Sequence, residues 1–137
     1  MTPAAAPFES LDYVYIPAPD FEGAVHFYTA ALGGELRWRI HDAGTWVGAV
    51  RVSPDGPVVL IANHLEPGHA VLIYRVAKLD DVRRRLEREG FTAEGQAFEI
   101  PTGPCLVFRD PGGQRLAVYE RVRPGVERKF EGRFDTQ

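Results

Sequence analysis

The sequence predicts an α+β fold made of two tandem β-α-β-β-β modules, and three observations predict it. One amphipathic helical stretch falls early in each half, at residues 20–34 and 79–90. Each is preceded by one strand-like run and followed by three. Finally, Ser53-Pro54-Asp55-Gly56-Pro57-Val58-Val59-Leu60-Ile61 aligns without a gap on Asp110-Pro111-Gly112-Gly113-Gln114-Arg115-Leu116-Ala117-Val118. An internal duplication accounts for this order better than two unrelated domains.

Residues 1–9 read as a disordered leader, without the positive n-region of a signal peptide. The first module is expected at 10–64. Residues 11–16 have the β-branched and aromatic content of a strand, closed by Pro17 and Pro19. Phe21, Ala24, Val25, Tyr28, Ala31 and Leu32 then form one helical stripe; Asp20 is placed to cap it and Gly33-Gly34 to stop it. Residues 35–40 alternate, with Leu36, Trp38 and Ile40 on one face. Residues 45–52 and 57–63 complete the set, joined by the turn Ser53-Pro54-Asp55-Gly56.

The second module is expected at 65–121. A strand at 69–76 leads to a helix with Leu79, Val82 and Leu86 on one face, ended by Gly90. The mixed charges on that helix read as a solvated surface with i,i+4 pairs. Strands follow at 93–99, 103–109 and 114–121. The tail, 122–137, carries Phe130 and Phe134 four apart. They could staple a short helix over the sheet edge or onto a second subunit, or form a lid over a pocket.

Composition excludes several classes. The chain has 137 residues and a formal charge of −3, with basic and acidic side chains interspersed, which argues against a nucleic-acid partner. No apolar run approaches the ~18 residues of a membrane span. The single Cys105 permits no internal disulfide and fits a cytoplasmic setting. With no His or Lys adjacent in sequence, it reads as inertly buried.

The runs Leu11-Asp12-Tyr13-Val14-Tyr15-Ile16-Pro17, Phe27-Tyr28, Leu32-Gly33-Gly34 and Phe108-Arg109-Asp110-Pro111-Gly112-Gly113-Gln114, together with Asp20 and the duplicated order, resemble the vicinal oxygen chelate superfamily. That superfamily includes glyoxalase I, extradiol dioxygenases, methylmalonyl-CoA epimerase and bleomycin-binding proteins. The resemblance spans about residues 10–121. It implies a curved mixed sheet around a concave pocket, helices outside, and commonly a homodimer. Metal-using members place four His, Gln or Glu ligands on inward positions of the first and last strand of each module. Carried onto this chain, those positions are Tyr13, Leu60, Val71 and Ala117. Three lack donor atoms, and a phenol with a pKa near 10 stays protonated near neutral pH, so the resemblance implies no metal cofactor.

By strand parity with those positions, Tyr13, Tyr15, Leu60, His69, Val71, Ile73, Arg115, Ala117 and Tyr119 should face the pocket, with Trp38 and Trp46 at its mouth. Such an apolar, ring-rich lining suits a small aromatic or amphipathic molecule. The leading expectation is therefore a metal-free small-molecule binder, similar to the branch that sequesters its ligand. Two enzyme readings stand beside it. One is a metal-dependent lyase, epimerase or dioxygenase with a displaced site built from His69 and Glu99 or Glu120. The other is a metal-free acid–base enzyme using His69, Glu99 or a Tyr hydroxyl.

Overall fold

In the computed structural model, which describes residues 7–66 and 68–136, the first module comprises β1 (Phe8–Pro17), α1 (Phe21–His26), β2 (Glu35–Asp42), β3 (Thr45–Arg51) and β4 (Val58–Ala62). The second comprises β5 (Val71–Val76), α2 (Leu79–Arg88), β6 (Phe98–Ile100), β7 (Gly103–Arg109) and β8 (Arg115–Glu120). All eight strands join one curled sheet in the order β2-β3-β4-β1-β5-β8-β7-β6. The two modules thus meet within one chain, through the antiparallel pair β1–β5.

The register makes the duplication exact enough to name equivalent residues. Tyr13 lies opposite Ile73 and Tyr15 opposite Val71, so a pseudo-twofold between β1 and β5 exchanges Tyr13 with Val71 and Tyr15 with Ile73. In the parallel pairs, Tyr15 faces Leu60 and Ile73 faces Ala117, which makes Leu60 and Ala117 equivalent. The gapless alignment of 53–61 on 110–118 predicts the same pairing.

Helices cover one face of the sheet. Asp20 caps α1 by accepting a hydrogen bond from the Gly23 N–H (3.0 Å). Phe21, Ala24, Val25 and Tyr28 then pack on Ile16, Leu36, Trp46, Val50, Val59 and Ile61. Gly48 lets the Phe21 ring lie directly on β3, since a Cβ there would stand 3.1 Å from it. In the second module Leu79, Val82 and Leu86 pack on Tyr74, Val76, Leu106, Phe108, Leu116 and Val118. The Glu120 carboxylate accepts from the Leu79 N–H at 2.5 Å. That side chain therefore caps α2 and is spoken for. Among the described residues no helix is long and apolar enough to cross a membrane.

Four local expectations change. The first strand begins at Phe8, inside the expected leader, because Phe8 stacks on Tyr74 at 4.6 Å; residues 1–6 lie outside the described set. Next, α1 does not run regularly to Gly33: Phe27–Ala31 form a π turn, and the extra residue per turn rotates Ala31 and Leu32 away from the core. The expected strand at 93–99 shrinks to Phe98–Ile100. Glu94 instead donates its backbone N–H to Val107 and pairs its carboxylate with Arg109 and Arg115, while Gly95 turns at φ +74°. Lastly, a bulge between Leu36 and Trp38 splits their shared face. Leu36 joins the helix-side core, and Trp38 and Ile40 point to the concave side.

The tail is a strap. After β8, the Val122 and Arg123 N–H groups both donate to the Thr102 carbonyl, fastening the chain to the β6–β7 turn. A 3-10 turn, Val126–Lys129, follows. The chain then reaches the outer edge of β2, where Gly132 N–H donates to Arg37, Arg39 N–H to Arg133, and Asp135 N–H to Arg39. It spans the open side of the curled sheet.

Candidate functional site

A cavity of about 490 Å³ lies between the concave face of the first module and this strap. Period-two alternation explains its walls: β3 presents Val47, Ala49 and Arg51, β4 presents Val58 and Leu60, and β1 presents Tyr13 and Tyr15. Trp38 and Ile40 close one side, Ile73 and the Ile100-Pro101-Thr102 turn the other. The strap adds Val126, Arg128, Phe130 and Glu131, with the Phe130 ring 5.3 Å from Trp38. Small Val47 and Ala49 leave the space that rings surround.

The charged groups bordering it are Arg37, Arg51, Arg121, Arg128 and Glu131. The Arg37 Nε donates to Glu131 at 3.0 Å, pinning strap to sheet, and the carboxylate in turn holds the guanidinium pKa above its usual value. The Arg51 guanidinium donates to the Pro54 and Gly56 carbonyls at 3.4 and 3.2 Å. Burial pushes the Tyr15 phenol up to about 12, so at neutral pH it is a hydrogen-bond donor and no base; it sits 3.4 Å from His64 Nε2. Thr102 is 5% exposed, and its hydroxyl has no hydrogen-bond partner among the described residues.

The equivalent face of the second module is filled. Val71, Ile73, Cys105, Ala117 and Tyr119 form one buried cluster, with Tyr13, Tyr15, Ile100 and Val107 packed on it. The Tyr119 hydroxyl donates to the Asp12 carboxylate, which also accepts from Ser10 at 2.5 Å. Burial first, and the Asp12 hydrogen bond second, raise the Tyr119 pKa far above the ordinary phenol value. Burial likewise lifts the Cys105 thiol to about 11, leaving it a protonated, apolar core group.

The residues expected at the site therefore divide. Tyr13, Tyr15, Leu60 and Trp38 border the cavity. Val71, Ala117 and Tyr119 occupy the right face but lie in the packed cluster. Arg115 is turned to Glu94, 3.3 Å from Nε. Trp46 is on the opposite side of the sheet, stacked between Phe21 (5.5 Å) and His41 (4.3 Å), with the Arg39 guanidinium 4.7 Å from its ring. Alternation along β3 forces this, since Val47 and Ala49 take the inward places. His69 is exposed and precedes β5, which starts at Val71. Glu99 is exposed and paired with Arg123 at 2.5 Å. His69, Glu99 and Glu120 do not come together, and among the described residues no three His, Cys, Asp or Glu side chains group to hold a metal ion. Sequence reasoning missed Ala49, Arg51 and Thr102, and offered the strap only as one of three places for the tail. Parity on 45–52 would have found the first two; nothing local marks Thr102.

The profile of the Glyoxalase/Bleomycin resistance protein/Dioxygenase superfamily matches residues 10–118. Among solved structures, the chain is similar to methylmalonyl-CoA epimerase from Mycobacterium tuberculosis, at 18% identity over 88% of this chain and 93% of that one, with a TM-score of 0.68. It is also similar to a superfamily member from Vibrio splendidus (15% identity, 80% and 97% covered, TM-score 0.58). A catechol 2,3-dioxygenase matches at 14% identity, over 85% of this chain but 42% of that longer one, with a TM-score of 0.64. At these identities the likeness establishes the fold. No curated protein sequence matches the chain.

Proposed function

Since the chain belongs to the Glyoxalase/Bleomycin resistance protein/Dioxygenase superfamily, we propose that it uses the superfamily's cavity to bind, and so sequester, a small aromatic or amphipathic molecule without a metal ion. One observation carries the reading: the cavity is walled by rings and aliphatic groups where a cation would need oxygen or nitrogen donors. The residues aligned with the ligand positions are Tyr13, Leu60, Val71 and Ala117, and three of them have no lone pair to offer. The donor set does not fit a divalent cation, and no step through one is derived.

What these residues supply is binding chemistry. Tyr13, Tyr15, Trp38 and Phe130 give stacking area, and the protonated Tyr15 hydroxyl gives a directional contact. A volume of about 490 Å³ lies within the roughly 300–1,000 Å³ range of small-molecule sites. A homodimer, which the resemblance implies, would have to use a surface other than the outer edge of β2, because the strap covers it.

Two measurements test the proposal. Elemental analysis of tag-free protein should find no stoichiometric transition metal; one equivalent of zinc, nickel, manganese or iron would overturn it. A thermal-shift screen of aromatic and amphipathic compounds should find stabilisation, about 2.7 kcal/mol at a hundred times Kd. Turnover of any compound that depended on His69 or Glu99 would favour the acid–base reading instead.

A further inference from the structure

The cavity has two chemically different ends, and strand register fixes which residues stand at each. Leu36 pairs with Val50, Val50 with Val59, and Tyr13 with both Val58 and Ile73. The start of β2, the end of β3, the start of β4 and the end of β5 therefore lie at one edge of the curl. The parallel β5–β8 pair brings the end of β8, hence Arg121, to that same edge. The Val122 N–H bond to Thr102 brings the β6–β7 turn there too. Arg37, Arg51, Arg121 and Thr102 consequently share one end. Ile40, Val47, Leu60 and Tyr15 lie toward the other, along the pairs Ile40–Val47 and Leu60–Tyr15.

From this polarity we infer that the occupant is an organic anion, with its apolar body among the rings and its carboxylate, sulfonate or phosphate head at the Arg51 and Thr102 end. The inference rests on the small-molecule reading above and adds the ligand class. Of the arginines that border the cavity, Arg37 is paired with Glu131 and Glu35, and the excess of positive charge rests on Arg51 and Arg128, although the whole chain carries a formal −3. That positive field is local and does not follow from the average charge. Among the described residues no carboxylate pairs with Arg51 or Arg128, so none of these residues neutralises their charge. Thr102 supplies the second, independent sign. A buried hydroxyl without a partner is uncommon and costly, and a small turn of the Thr102 side chain toward the cavity would let an acceptor oxygen on a ligand headgroup satisfy it.

The test uses two fluorescent probes that share a ring framework: anilinonaphthalene sulfonate, which carries a negative head, and neutral N-phenylnaphthylamine. The sulfonate should bind the wild-type chain more tightly, and added salt should weaken it alone. Thr102→Val should weaken the sulfonate roughly tenfold, as expected for a lost hydrogen bond to a charged group. The same change should raise Tm, because the orphaned hydroxyl is gone. Arg128→Gln, an exposed change at a side chain that makes no hydrogen bond among the described residues, should weaken the sulfonate alone, and Arg51→Gln should do so more strongly. Ala49→Trp, which fills the space, should abolish both probes. Equal binding of the two probes, unmoved by Thr102→Val and Arg128→Gln but lost in Ala49→Trp, would refute the anion and leave the cavity reading standing. Binding of neither probe, or binding indifferent to Ala49→Trp, would remove the cavity reading itself.

Discussion

Leu60 and Ala117 hold equivalent places in the two modules, yet Leu60 borders a cavity of about 490 Å³ while Ala117, 2% exposed, is sealed among Tyr119, Ile73 and Cys105. The backbone plan is the same; the side chains decide. By the same register Tyr119 is the counterpart of Ala62, so the second hollow receives a full ring where the first receives a methyl group. Its hydroxyl would be an expensive group to bury, but Asp12 accepts its hydrogen bond and the ring is locked. Duplication therefore yields two hollows, and one tyrosine with one carboxylate converts the second into core. The first stays open because no ring stands at Ala62, and the strap crosses above Val47 and Ala49 without filling the space; their counterparts Cys105 and Val107 differ from them by no more than a methyl group or two.

The largest effect should come from emptying the filled half. Tyr119→Ala removes a ring that is 1% exposed and should cost about 3–5 kcal/mol, read as a fall in urea midpoint. Leu60→Ala, at the cavity wall, should cost about 1 kcal/mol, because no new enclosed void forms. Equal losses would mean that the first hollow is as tightly closed as the second. The converse pair comes next. Ala117→Leu overpacks the buried cluster and should cost about 1–3 kcal/mol, whereas Ala49→Leu should change the midpoint by less than about 1 kcal/mol. A stable Ala117→Leu protein would show unfilled space beneath Tyr119.

How far this contrast can be read from sequence depends on the range of the interaction. Asp20 as a cap, the Leu79–Val82–Leu86 face and the equivalence of Leu60 with Ala117 all follow from local spacing, and all are present in the structure. The inward-facing order of Tyr13, Tyr15 and Leu60 follows from alternation once the strands are known. Trp46 was misplaced because an aromatic on an amphipathic strand gives no hint of which face holds the helix; Phe21 resolves it only in three dimensions. The β2 bulge and the π turn each insert one residue into a regular period, and neither has a sequence signal as strong as proline or glycine. The strap was the hardest to see. Its far anchors are hydrogen bonds to β2 residues more than ninety positions away, and only the spacing of Phe130 and Phe134 hinted at a cover.

The strap sharpens the comparison, since it covers the open half. Phe130→Ala removes the ring packed on Trp38 and should lower stability by about 1 kcal/mol, a partial share of what full burial of a Phe contributes. Tryptophan emission should shift to the red. Trp46 is 6% exposed under α1, so the shift reports Trp38 and the cavity beneath it. Unchanged emission would mean that Phe130 does not cover the site.

The smallest effect should appear at the strap's far end. The Asp135 carboxylate accepts from the Arg133 guanidinium at 2.9 and 3.0 Å and from the His41 N–H at 3.0 Å. The Arg133 hydrogen bond, then the His41 bond, hold its pKa below the ordinary 3.8. A group depressed in the folded state gives its stabilisation in full above the unfolded value and loses it as pH falls through the folded one. Fastening at β2 should therefore be constant from pH 8 to about 5 and weaken only below the ordinary carboxylate range. Because the site is exposed, the change should be slight and should diminish in salt. Asp135→Asn keeps the shape but cannot titrate. The acid-induced part of the Trp38 red shift should then be smaller than in the wild type, and the neutral-pH emission should move less than in Phe130→Ala. Identical acid profiles for the two proteins would place the acid sensitivity of the strap elsewhere, with Glu131 at Arg37 as the next carboxylate to replace.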